Sequence, residues 1–171
     1  MWLFAKRTLF TALRVWLGFQ WLEAGLHKVG AAAWTGANAG AAVAGFANGA
    51  IAKAAGDNPA VQAWYADFLE AVVIPNAAAF GYLVAWGEVF VGIGLILGVF
   101  TGFAALAGAL MNINFLLAGT VSTNPILLVA AIAVLAAIEY AEAFGIDWYL
   151  RPRVEIAADK GLKRLKALFG N

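Results

Sequence analysis

Residues 14–28 read RVWLGFQWLEAGLHK, and inside an otherwise apolar run they carry Arg14, Gln20, Glu23, His27 and Lys28. Ionisable groups at hydrocarbon depth cost several kcal/mol, so they face a bundle interior, a wet cavity or a partner, and they raise a functional hypothesis by default. At helical spacing Gln20, Glu23 and His27 share one face, while Arg14, Gly18, Trp21, Gly25 and Lys28 make a neighbouring one, so both stripes are expected to point into the bundle. Glu88 adds a carboxylate in the middle of the second apolar run, and Asn112 and Asn114 add amides in the third. The chemistry open to such a set is proton exchange: Glu23 or Glu88 as acid and base, with Arg14 or Lys28 stabilising negative charge as it develops. Trp21, Trp86 and Phe115 would form an apolar wall beside these groups.

The elements that must position them follow from composition. With 64% hydrophobic and only 12% charged residues over 171 positions, and a mean hydropathy of +0.83, the chain reads as an integral membrane protein. A formal charge of +1 argues against a nucleic-acid partner. Cysteine is absent, which excludes a thiol relay, a disulfide, an iron–sulfur cluster and a Cys-ligated zinc within the chain. His27 is the single histidine, so haem held by two histidines of one chain is excluded and no metal site is expected.

Four apolar runs, at about residues 8–29, 77–100, 102–120 and 125–144, predict an all-α bundle of four transmembrane helices, each near the ~20 residues a bilayer requires. Residues 1–150 would form this domain and residues 151–171 a basic tail. The opening MWLFAKRTLF has basic residues before an apolar run, yet the run reaches residue 29 with polar groups at helical spacing, so it reads as an uncleaved first helix and not a signal. Lys6 and Arg7 precede the first span and Arg151, Arg153, Lys160, Lys163, Arg164 and Lys166 follow the fourth. The even number of spans puts both termini on the cytoplasmic side of a prokaryotic cytoplasmic membrane.

Residues 30–76 form the long external loop. Asn58 and Pro59 read as an N-cap and first helical position, followed by Val61, Trp64, Tyr65, Phe68, Leu69, Val72 and Val73 at amphipathic spacing. A fainter pattern runs through Val43, Phe46, Ala50 and Ile51. Such a helix lies at the headgroups or over the bundle mouth. Residues 155–169, with Ile156, Leu162, Leu165, Leu168 and Phe169 among basic residues, read as a surface helix held by anionic lipid or docking a partner.

Counting ~1.5 Å per residue places Arg14, Glu139 and Glu142 in an inner layer, Gln20, Glu23, Glu88, Asn112 and Asn114 near the middle, and His27 and Lys28 outside. Arg14 is expected to meet Glu139 or Glu88, and Glu23 or Glu88 to meet Asn112 or Asn114. Each residue has a structural reading as well. Asn112 and Asn114 point to different sides of their helix, so at least one serves as interhelical glue. Glu139 and Glu142 read as half-solvated, and His27 as a hydrogen-bonding residue. Gly94 and Gly98 have the G-x-x-x-G spacing that lets helices approach closely, within the bundle or between protomers of a homo-oligomer.

The segments RVWLGFQWLEAGLHK, WGEVFVGIGLILGVFTG and MNINFLLAGTVSTNP together resemble the DoxX family of small bacterial and archaeal membrane proteins. That family shares its name and fold with DoxD, the membrane subunit type of thiosulfate:quinone oxidoreductase. The matching positions are Arg14, Trp21, Gly25 and Lys28, then Gly87, Glu88, Gly98 and Thr101, then Asn112, Asn114, Gly119, Ser122, Asn124 and Pro125. The resemblance implies a four-helix membrane bundle with a role in quinone-linked redox chemistry or in an oxidoreductase complex with a partner subunit. A quinone or similar lipophilic redox molecule would sit beside the polar layer, touched by Trp21, Gln20, His27, Lys28, Trp86, Asn112, Asn114 and Phe115, with Glu23, Glu88 and Arg14 as the catalytic set. Two other classes compete: a non-catalytic anchor or assembly subunit, and a small-solute or proton pathway.

Overall fold

The first proline of the chain is Pro59, and the opening residues are good helix formers, so nothing breaks the first helix before Gly30. A computed structural model describes residues 1–151, and here α1 runs over Trp2–Val29, about 42 Å long and six residues longer at its start than the apolar run suggests. The described residues are helix and loop without a strand. The order continues with α2 (Ala32–Thr35), α3 (Ala41–Ala52), α4 (Ala63–Phe68) passing into a π turn (Leu69–Val73), α5 (Ala77–Leu97), α6 (Thr101–Leu117), α7 (Asn124–Ala136) and α8 (Ile138–Ala141). The tail expected over residues 155–169 lies outside the described residues.

The structure corrects several boundaries. α5 stops at Leu97 because Gly98 takes a left-handed conformation (φ 65°) and returns its N–H to the Gly94 carbonyl. The expected fourth span, residues 125–144, is not one helix: Ala137 leaves the helical region (φ −115°, ψ 33°), separating α7 from α8. That break turns the chain so that Gly145 packs on Gly98 and the Asp147 carboxylate reaches the start of α6. Asn58 and Pro59 do not open a helix. Ala60 and Val61 both donate their N–H to the Lys53 carbonyl, which ties this segment to the end of α3 and delays α4 to Ala63.

By length and composition one helix among the described residues, Ala77–Leu97, is apolar and long enough to cross a membrane. α6 and α7, with 17 and 13 residues, reach only about 26 and 20 Å. The long helices nevertheless carry large apolar side chains outward, among them Phe19, Leu26, Phe90, Phe103, Ile126 and Val129. An exposed apolar surface of this extent marks contact with lipid or protein.

Two cores form. The main one joins Leu17 and Trp21 of α1 with Leu95 of α5, Ala105 and Ala109 of α6, and Ala131 and Val134 of α7. The second lies within residues 30–76 and the start of α5, where Val43, Ala47 and Ala50 of α3 meet Val61, Tyr65, Leu69 and Val73. In that segment every fourth residue from 61 to 73 is buried, while Trp64, Phe68 and Val72 face out. The π turn keeps this four-residue stripe aligned better than 3.6-residue winding would.

Candidate functional site

Glycines decide where the polar groups meet. A Cβ on Gly25 would lie 2.6 Å from the Val89 nitrogen, one on Gly92 2.6 Å from the Leu22 nitrogen, and one on Gly18 2.8 Å from the Ile96 side chain. α1 and α5 therefore touch almost backbone to backbone, antiparallel, with Gly25 level with Glu88 and Val89. At that contact the Lys28 ammonium donates to Glu88 Oε2 at 2.5 Å. Glu88 is 1% exposed and Lys28 19%, so the charge pair is nearly dry, and its mutual compensation is what makes the Glu88 position tolerable. The Lys28 ammonium also lies 5.3 Å from the ring centre of Trp34, which places a π face against the same cation.

The stripe Arg14, Gly18, Trp21 and Gly25 is buried, and it faces the bundle. The other stripe does not: Glu23 and His27 are exposed and Gln20 is half-buried. The expectation that both stripes point inward is corrected by the way glycine packing orients α1. With Gly18 and Gly25 pressed on α5, the next residues round the helix are carried outward. Trp21 packs its indole on Gly108, where a Cβ would lie 2.9 Å from Nε1. Asn112 follows one turn along the same buried face of α6. Neither the Trp21 N–H nor either end of the Asn112 amide has a hydrogen-bond partner among the described residues.

Arg14 lies at the other end of this seam, 1% exposed, between Gly98 and Gly145. A Cβ on Gly98 would collide with Nη1, and one on Gly145 would lie 3.0 Å from it. The charges of Asp147 and Glu142 favour its guanidinium, while Nε and Nη1 have no hydrogen-bond partner among the described residues. It pairs with neither Glu88, which Lys28 holds, nor Glu139, which is exposed. Asp147 escaped the sequence reading altogether. Its carboxylate accepts the Phe100 N–H (2.9 Å) and the Thr101 N–H (2.8 Å), and its own N–H donates to the Gly98 carbonyl (2.8 Å). It caps α6 from 46 residues away in sequence, and no local motif announces such a cap.

A second seam, between α5 and α6, stays open. It holds a slot of about 790 Å³ lined by Val84, Gly87, Val91 and Gly94 of α5 and by Ala107, Leu110, Met111 and Asn114 of α6. Phe46 of α3 with Tyr65, Phe68 and Leu69 closes the end of it that lies toward α3 and α4. Phe115 lines the slot and meets Phe46 edge to face. Trp86 instead is exposed beside Phe90, and Trp21 sits in the main core, so the expected aromatic wall is not one surface. Asn114 lines the slot, and the Tyr65 hydroxyl donates toward its carbonyl (3.1 Å) and its Oδ1 (3.3 Å). Burial pushes the Tyr65 phenol above its ordinary pKa, which keeps it a donor. Tyr65 was visible in sequence only as an apolar-stripe residue. Among the described residues, no three His, Cys, Asp or Glu side chains group as metal ligands.

No curated protein matches this chain, and no solved structure matches it either. A family model described as TQO small subunit DoxD matches residues 9–168, which takes in most of α1, the helices α2 to α4 that roof the slot, both seams and the Asp147 cap. The chain thus belongs to the DoxD family, a family of membrane proteins.

Proposed function

We propose that this chain is the membrane subunit of a thiosulfate:quinone oxidoreductase-like system, lying in the cytoplasmic membrane of a prokaryote. The single observation that carries this reading is the family match, which runs through almost the whole chain and not through one motif. The slot supports it, because an apolar cavity of about 790 Å³ is of the size that takes a lipophilic molecule. A quinone, when bound, supplies a carrier for two electrons and two protons. With no cysteine and one histidine the chain cannot by itself hold an iron–sulfur cluster or a haem between two of its own histidines, so in this reading the electrons come from a thiol or sulfur-oxyanion substrate or from a partner protein.

In this reading α1, α5, α6 and the run formed by α7 and α8 are the four spans. Both termini are cytoplasmic, and α2 to α4 cover the outer end. Lys28 and Glu88 hold a proton one residue from Gly87, which lines the slot. Arg14 fixes the inner end. Co-expressing the chain with its oxidoreductase partner and measuring thiosulfate-dependent reduction of a short-chain quinone tests the proposal. The expected result is activity only when the chain is present, reduced by Glu88→Gln. An undiminished rate without the chain would overturn it.

One observation favours the assembly-subunit reading as a second. Glu88 faces α1, not the slot, and its Lys28 partner is already supplied within the chain. If that reading holds, Glu88→Gln lowers the amount of assembled complex while the rate per complex stays unchanged.

A further inference from the structure

The outer end of the slot differs from the rest of it. Along most of its length the walls are aliphatic or aromatic, and on α5 they extend from Phe80 to Gly94, about 21 Å of helix. Under the roof the Tyr65 hydroxyl and the Asn114 amide come together. We propose that this slot binds a single-chain lipophile, an isoprenoid or acyl chain with a compact oxygen-bearing head. The head lies at Tyr65 and Asn114, and the chain runs inward past Gly87. For the nature of the head, the proposal rests on the quinone-linked reading above.

The occupant follows from polarity. One hydroxyl and one amide meet at the roof end and the rest of the lining is aliphatic or aromatic, which matches a molecule with one compact polar head and a long apolar chain. Gly87 keeps the middle open, since a Cβ there would meet only Met111 Sδ, at 3.8 Å. The roof end offers both signs of hydrogen bond. Asn114 Nδ2 uses one N–H on the Leu110 carbonyl (2.8 Å) and keeps a second, while the Tyr65 oxygen donates its proton to Asn114 and can still accept. A carbonyl head can take the amide N–H, and a hydroxyl head can donate to the phenol oxygen. The inner end, lined by Ile93, Val99, Phe100 and Phe103, offers neither.

The test uses the full chain in lipid nanodiscs with two photoreactive probes: a ring-azido quinone with a decyl tail, and a fatty acid with a diazirine near its carboxyl end. Labelled positions are read by mass spectrometry in the unaltered chain, in Gly87→Phe and in Tyr65→Phe/Asn114→Leu. Quinone labelling is expected beside residues 65 and 114. Plugging the slot with Gly87→Phe should reduce it at least tenfold, and removing the head contacts about fivefold. Gly87→Leu replaces the phenylalanine variant if that one fails to fold by circular dichroism. Labelling of the same positions by the fatty acid alone keeps the slot as a lipid site and overturns the quinone reading. Quinone labelling elsewhere, indifferent to the plug, overturns the slot and leaves the quinone reading standing. No labelling by either probe overturns both.

Discussion

α5 presents two faces that solve opposite problems. Toward α1 it offers Glu88, Val89 and Gly92, all buried, and glycines on both helices bring the backbones into contact. Toward α6 it offers Val84, Gly87, Val91 and Gly94, and the seam stays open as a slot. The closed face holds the charge and the open face holds almost none. A carboxylate in apolar surroundings needs its counter-ion within reach and water kept away, which close packing provides. A lipophile needs room and few polar groups, which a gap under aromatic side chains provides. Small residues serve both faces, and only their neighbours decide which outcome they produce.

The sharpest way to break this contrast is to remove one member of the charge pair. Glu88→Ala would leave the Lys28 ammonium without its carboxylate, and a loss of about 3 kcal/mol is expected, since removing one partner of a buried pair leaves an uncompensated charge. Replacing both, with Lys28→Met and Glu88→Leu, should restore most of it. Thermal unfolding in a fixed detergent measures both. If the double variant is as unstable as Glu88→Ala, the pair is not what limits this face.

Next in size is a comparison of two glycines a short distance apart. Gly25→Leu forces α1 off α5, because even its Cβ would overlap the Val89 backbone, and about 2 kcal/mol should be lost. Gly87→Leu places the same side chain in the slot and should change stability by less than about 0.5 kcal/mol. Equal losses at both sites would mean that the slot is as tightly closed as the α1 seam.

Much of this was legible in the residues. Hydropathy located α5 and α6 to within three residues, and the spacing of Arg14, Gly18, Trp21, Gly25 and Lys28 identified the stripe that is half-buried or buried. The second stripe was not separable from the first, because both have helical spacing and only glycine contacts with α5 choose between them. Glu88 was recognisable as a group that needs compensation. Its partner was not, since Lys28 counts as near the membrane edge until α1 is seen to lie with Gly25 level with Glu88. The slot left no sequence signal, because a gap is a property of how α5 and α6 splay. Asp147 was invisible for a similar reason: its ligands are backbone N–H groups of a remote turn.

That remote cap gives a smaller effect. Asp147→Ala removes two hydrogen bonds from the first turn of α6 and a carboxylate whose charge favours Arg14, and should cost about 1 to 2 kcal/mol. Asp147→Asn keeps one acceptor and should recover part of it. Hydrogen exchange at the start of α6 would rise in Asp147→Ala and stay low around Glu88. A rise spread evenly over α5 and α6 would show instead that the cap and the charge pair belong to one cooperative unit.

The smallest effect is expected at Glu23, and it separates the two carboxylates that sequence places at the same depth. Leu22 lies against Gly92 and Gly25 against Val89, so Glu23 is level with the middle of α5, yet it faces outward. In the proposed membrane setting its outward charge is a cost and not a contact, so Glu23→Leu should leave the melting temperature unchanged or raise it slightly. Glu88→Leu alone, at nearly the same level but facing α1, should lower it by the loss expected for an orphaned Lys28. The two substitutions make the same change in side chain at the same depth, so depth cannot account for any difference between them. What would differ is the neighbour, and a matching loss at both positions would mean that the outer face of α1 is packed as closely as the inner one.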